Sequence, residues 1–183
     1  MSRSKLAVSL FILSEANFFV ILIIGYVYYH AIPAGGPSAA TSLDPWRTGA
    51  FSICLFASSA TMWLADRSLR SERRRAHLLW LVITILLGAV FLVGQGNEYV
   101  RLITNGVTWS RNLLGTTFFT LTAFHGLHVF GGLCALAIMA SIALSAEMTD
   151  RRREAFAAIG MYWHFVDGVW VVIFAIVYLW AFV

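Results

Sequence analysis

Two histidines stand three residues apart in TTFFTLTAFHGLHVFGG, residues 116–132, in the middle of an apolar run. At that spacing His125 and His128 project from one face of a helix. His164 and Asp167 repeat the spacing in MYWHFVDGVW, and two acids, Glu15 and Glu98, stand within or at the end of other apolar runs. Imidazoles and carboxyl groups are costly in hydrocarbon, so each invites a role. Three are open: ligation of a metal or haem, proton transfer, or polar attachment of one helix to another.

The residue set limits the first. A bis-imidazole haem needs two histidines at equal depth facing each other, and a membrane di-iron oxygenase needs more histidines than the five present. His30 lies at an interface behind Tyr26, Tyr28 and Tyr29, where anchoring is its expected use, and His77 adjoins a loop. His164 is expected near the inner end of its helix and His125 and His128 deeper in theirs, which works against one metal shared by three rings. A serine or cysteine hydrolase would place its nucleophile in a glycine-rich turn beside a base, and no segment reads that way. Glu15 lies about 15 Å along a helix that starts near Leu6, close to a bilayer midplane. A neutral acid bonded to a neighbouring helix and a proton-linked role are equally open for it. Glu98 is expected to end its helix at the outer interface and to pair with Arg101. For His125 and His128, attachment between helices is the favoured use, with Gly126, Gly131 and Gly132 permitting close approach of another backbone.

The elements that must position these groups are membrane spans. The chain has 183 residues, 60% hydrophobic and 12% charged. Apolar runs over about 6–30, 46–66, 76–98, 112–145 and 155–182 each reach the about 20 residues that a bilayer demands of a helix. They lack the alternation of a barrel. The expected fold is all-α, a single transmembrane domain of five helices. Ten of the 13 basic residues fall at the N-terminus and in the second and fourth connections, against Arg47, Arg101 and Arg111 on the other side. The positive-inside bias then puts the N-terminus in the cytoplasm and the C-terminus outside. Loop placement accounts for the basic excess, so no nucleic-acid partner is expected. The first run is too long for a signal peptide and contains Glu15. Cys54 and Cys134 fall in different spans and form neither a disulfide framework nor a metal pair. The connections are short: AIPAGGPSAATSLDP carries Pro, Gly and Ser, DRSLRSERRR can extend its flanking helices, and Asn105-Gly106 signals a turn.

The segments TTFFTLTAFHGLHVFGG and YWHFVDGVWVVIFAIVYLW resemble the two most characteristic stretches of subunit III of the haem-copper cytochrome c oxidases. VITILLGAVFLVGQGNEYV resembles that family's helix with a Glu-Tyr ending, and LFILSEANFF its helix with a Ser-Glu pair ahead of paired phenylalanines. The four occur in the family's order and cover nearly the whole chain. The resemblance implies a subunit with no haem, copper or other metal and no active site of its own, in a proton-translocating oxidoreductase complex. Oxygen chemistry, electron entry and proton pumping would belong to subunits I and II. Glu15 matches a buried family glutamate near subunit I. Glu98, His125, His128, His164 and Asp167 match motif positions that are structural, lipid-facing or at subunit contacts. The implied role is to support proton uptake and the stability of subunit I during turnover in aerobic respiration, and to hold phospholipid. The implied partners are subunit I above all, subunit II, a small subunit IV where present, and membrane lipid. Cytochrome c or quinol would serve the complex rather than this chain, and the expected location is a bacterial plasma membrane. Many members have seven helices and the match here begins at the glutamate-bearing one; in the longer members the first two helices form one wall of the lipid cleft. Subunit III of a quinol oxidase or nitric oxide reductase, and a stand-alone haem b protein, are the competing expectations.

Overall fold

A computed structural model describes residues 3–30, 43–110, 113–145 and 149–180, without the side chains of residues 3–5 and 30. The described residues form five long helices and no strand: α1 (Arg3–His30), α2 (Pro45–Arg70), α3 (Arg74–Thr104), α4 (Leu113–Ser145) and α5 (Asp150–Phe174). The last continues as a π-helical turn over Ala175–Leu179. All five are long and apolar enough to cross a membrane. Local signals start and stop them. Asp44 caps α2 by accepting a hydrogen bond from the Arg47 N–H at 3.1 Å, with Pro45 in the first turn. α3 ends at Asn105, and Gly106 takes φ +81°, the left-handed region that glycine enters without penalty.

α2 and α3 form a tight hairpin joined by Ser71–Arg73, and α4 and α5 pack on it. α1 lies across α4 and α5 on the outside of this group. Lipid is as apolar as leucine, so close packing and interhelical hydrogen bonds must hold the bundle together. Trp163 and Trp170 of α5 are the largest of its fully buried side chains. Their indole N–H groups donate to Ser58 at 3.0 Å and Ser52 at 2.8 Å, both on α2. Gly88 of α3 and Gly132 of α4 flank the Trp163 ring so closely that a methyl group at either would come within 2.8–2.9 Å of it. Gly126 instead faces the Gln95 amide, and Gly131 faces open space. Gly126 and Gly132 thus admit side chains, where another backbone was expected.

Several helices outrun their apolar cores. α3 has 31 residues, about 46 Å at 1.5 Å each, against a hydrocarbon thickness of about 30 Å. Its ends therefore reach the headgroup level, where arginines are tolerated. Glu98, expected at the end of this helix, lies inside it, since α3 runs on to Thr104. α5 begins at Asp150 rather than near 155, which places His164 about 21 Å along it. The expectation that His164 sits near the inner end is corrected accordingly. The tyrosine cluster also divides: Tyr26 is buried, while Tyr28 and Tyr29 are exposed. The His30 side chain, Arg111 and most of the 31–45 connection lie outside the described residues.

Two arginines tie one end of the bundle together. Arg74 at the start of α3 donates from Nε to the Ala143 carbonyl at 2.9 Å and from Nη2 to Leu144 at 2.8 Å, capping α4. Arg153 of α5 donates to the Leu69 carbonyl of α2 at 2.8 Å and stands 3.6 Å from Glu72. Cations at helix C-termini complement the carbonyls left without intrahelical partners.

Candidate functional site

Near the middle of the first span, Glu15 of α1 meets His128 of α4, with Oε2 2.9 Å from Nε2. Aromatic rings along the seam set the register. Phe11 lies 6.0 Å from Tyr162, Phe18 packs edge-on against Phe124 at 5.0 Å, and Phe19 packs edge-on against His128 at 4.9 Å. Tyr162 of α5 donates its hydroxyl to the His128 carbonyl at 3.0 Å, so three helices converge there. The carboxyl and imidazole side chains are 20% and 15% exposed, largely withdrawn from their surroundings.

The other imidazole nitrogen fixes how protons can be arranged. His128 Nδ1 stands 2.6 Å from the Phe124 carbonyl, which can only accept, so Nδ1 carries a hydrogen. Nε2 then either accepts from a protonated Glu15 or, as imidazolium, donates to its carboxylate. Both arrangements have no net charge, which suits a site of low dielectric. One proton can pass between Oε2 and Nε2 with no change in total charge. A second proton, or the loss of this one, would leave the pair charged.

The remaining candidate residues are separate from this pair. His125 shares a helix side with His128 but points into the core, stacked on Trp170 at 4.8 Å and edge-on to Phe91 at 5.9 Å. It is fully buried, and neither ring nitrogen has a hydrogen-bond partner among the described residues. With aromatic rings enclosing His125 and both nitrogens of His128 engaged, the two do not present the facing imidazoles of a haem site. His164 is exposed, with Nδ1 3.2 Å from the Ser59 hydroxyl, and the buried Asp167 lies against the same serine. His164 also lines a groove of about 370 Å³ with Trp63, Asp66, Arg70 and Gly160. Its direction, rather than its depth, separates it from the other histidines. Glu98 is buried and accepts two hydrogen bonds from Arg101, one of them at 3.1 Å. His77 is buried beside Phe156 and bonds the Ala65 carbonyl at 3.0 Å. No group of three or more His, Cys, Asp or Glu among the described residues could hold a metal ion.

Other polar contacts were not anticipated from the sequence. Gln95 donates to the Thr122 carbonyl at 2.6 Å and to the Tyr99 hydroxyl at 3.0 Å, and Tyr99 donates to Thr122 Oγ1 at 2.9 Å. Gln95 and Tyr99 are i and i+4, the one sequence signal of this bridge from α3 to α4. Ser52 and Ser58 carry no distinctive pattern; only the opposing tryptophans reveal their use.

A family model described as cytochrome c oxidase subunit III matches residues 2–182. The chain is 36% identical over 167 residues to a probable cytochrome c oxidase subunit 3 of Mycobacterium leprae, covering 90% of this chain and 82% of the relative. It is 35% identical over 174 residues to cytochrome c oxidase subunit 3 of Synechocystis, with coverage of 94% and 73%. The protein of the same name from Oncorhynchus clarkii is 36% identical over 181 residues, with coverage of 94% and 67%.

Proposed function

Because the chain belongs to the cytochrome c oxidase subunit III family, we propose that it is the non-redox third subunit of a respiratory haem-copper oxidase in a bacterial plasma membrane. In this reading it packs beside subunit I and supports proton uptake there. Haem and copper reside in partner subunits. The observation that carries the proton role is the Glu15–His128 pair, a carboxyl and an imidazole 2.9 Å apart near mid-membrane. Such a pair can hold one proton without net charge and hand it on when a neighbouring group changes state. Glu98, His125, His164 and Asp167 serve packing or subunit contact. The names of the relatives favour cytochrome c over quinol as the donor to the complex.

Two substitutions at one position test the proposal. In Glu15→Gln the amide can still donate to His128 Nε2, keeping the contact between α1 and α4, but it has no acidic proton to exchange. The expected result is an oxidase that assembles with normal haem spectra yet takes up protons more slowly or inactivates sooner during turnover. Normal uptake and lifetime in an assembled Glu15→Gln complex would refute the proton role. Glu15→Leu removes the hydrogen bond as well and is expected to weaken retention of the subunit. A chain that purifies without oxidase subunits from its native membrane would overturn the assignment to the complex.

A further inference from the structure

A buried carboxyl on α5 stands without a counter-charge. Asp167 is 8% exposed, pairs with no cation among the described residues, and its Oδ1 has no hydrogen-bond partner there. The Ser59 hydroxyl of α2 lies within hydrogen-bonding reach of this carboxyl and 3.2 Å from His164 Nδ1. A serine thus joins a buried acid to an exposed imidazole. His164 in turn lines the groove of about 370 Å³ between α2 and α5. The groove walls run from Arg70 in the last turn of α2 and Phe156 near the start of α5 inward to Met62 and His164. The groove therefore leads from the end of the bundle tied by Arg74 and Arg153 to a histidine about 21 Å along α5. Asp66 and Arg70 of α2, an ion pair at 2.5 Å, are the charged groups that share it. Charges are costly in hydrocarbon, so these walls suit water, and ionisable residues of a span that face a wet cavity mark proton relays.

Donor and acceptor chemistry orders the three groups. A carboxylate only accepts, so Ser59 donates to Asp167 and His164 donates from Nδ1 to Ser59. Nε2 is then the basic atom, on a side chain that lines the groove. A proton bound at Nε2 lets the Nδ1 proton pass to Ser59 Oγ while the serine's own proton passes to Asp167. The bond from Nε2 to hydrogen and the O–H bond of the carboxyl form, the bond from Nδ1 to hydrogen breaks, and the serine exchanges one hydrogen for another. The ring ends neutral as its other tautomer, and the reverse sequence returns the proton to water. We propose that His164, Ser59 and Asp167 form a reversible proton-exchange path from the groove to a buried carboxyl, a proton store on the α2–α5 side of the bundle. This role goes beyond holding α5 against α2. It uses neither Glu15 nor His128, and stands or falls separately from the role proposed for that pair.

Infrared spectroscopy of the chain, purified in mild detergent with the subunits it retains, tests the path. A protonated-carboxyl band that disappears in Asp167→Asn identifies the acid, and transfer from ordinary to heavy water times the exchange of its proton. Exchange in Ser59→Ala is expected to slow about a hundredfold, the low end of what a positioned proton-transfer group contributes. Ser59→Thr, which keeps a hydroxyl, is expected to exchange at close to the original rate. Unchanged exchange in Ser59→Ala, slowing in Ser59→Thr as large as in Ser59→Ala, or no Asp167-dependent band at any pH where the protein stays folded would overturn the path. A second measurement asks whether water reaches the groove in the native membrane. Met161 is exposed on the groove wall. In Met161→Cys, with Cys54 and Cys134 replaced by alanine, the new thiol is expected to react with a small water-soluble thiol reagent. A thiol that stays unmodified there would show the groove closed to water and would also overturn the path.

Discussion

The Glu15–His128 contact is a single residue pair on which two functions converge, helix attachment and proton custody, and substitutions can separate them. Removing one partner leaves the other's largely buried polar group unsatisfied, which typically costs about 1–3 kcal/mol. His128→Leu and Glu15→Leu should therefore each lower resistance to denaturation, while the double variant should cost less than the sum. Unfolding in detergent across the four proteins checks this, and additive effects would show that the pair contributes no coupling. The sequence revealed each residue but not their meeting. A polar residue in an apolar run announces itself by its cost, whereas its partner 113 positions away is set by how α1 lies across α4. The same limit applies to His164. Its spacing from Asp167 was visible, but its direction toward Ser59 depends on where α5 begins and how it is rotated.

At the scale of the elements, packing around Trp163 locks three helices at once. Gly88 of α3 and Gly132 of α4 lie against its ring, and Ser58 of α2 accepts its indole hydrogen. Overfilling and unpairing should both be felt here. Gly88→Ala places a methyl 2.8 Å from the ring and 2.9 Å from Leu133, so a destabilisation of about 1–3 kcal/mol is expected. Gly131→Ala, which meets nothing within 4 Å, serves as the silent control. Ser58→Ala leaves a buried N–H without its acceptor, at an expected cost of about 1–3 kcal/mol. Thermal inactivation of the three variants orders them, and equal behaviour of Gly88→Ala and Gly131→Ala would remove Trp163 from its central place. The five spans were legible because hydrocarbon requires long apolar runs. Their ends were not, because Arg74 and Arg101 read as loop residues until they are seen on helical turns that reach the headgroups. Gly126 and Gly132 were legible as points of close approach, though not what approaches them; Gly131 meets nothing within 4 Å, and Gly88 carried no signal.

For the whole molecule, the ends of the helices sort the charges by side. Arg74 bonds the last turn of α4 and Arg153 bonds the last turn of α2, so the α2–α3 turn, the end of α4 and the start of α5 share one end of the bundle. Arg67, Arg70, Arg73 and Arg75 cluster at that end with them, while Arg47 and Arg101 lie at the other. Since short basic connections are retained in the cytoplasm, the arginine-rich end should be inside, together with the N-terminus. Single cysteines test the orientation, with Cys54 and Cys134 first replaced by alanine. At Ser71, in the turn after α2, a membrane-impermeant maleimide should react only after the cells are opened. At Ser110, exposed beyond the end of α3, it should react with intact cells. The opposite pattern would invert the topology and put the arginine-rich end on the outer surface. Labelling at two positions decides the orientation independently of any activity measurement.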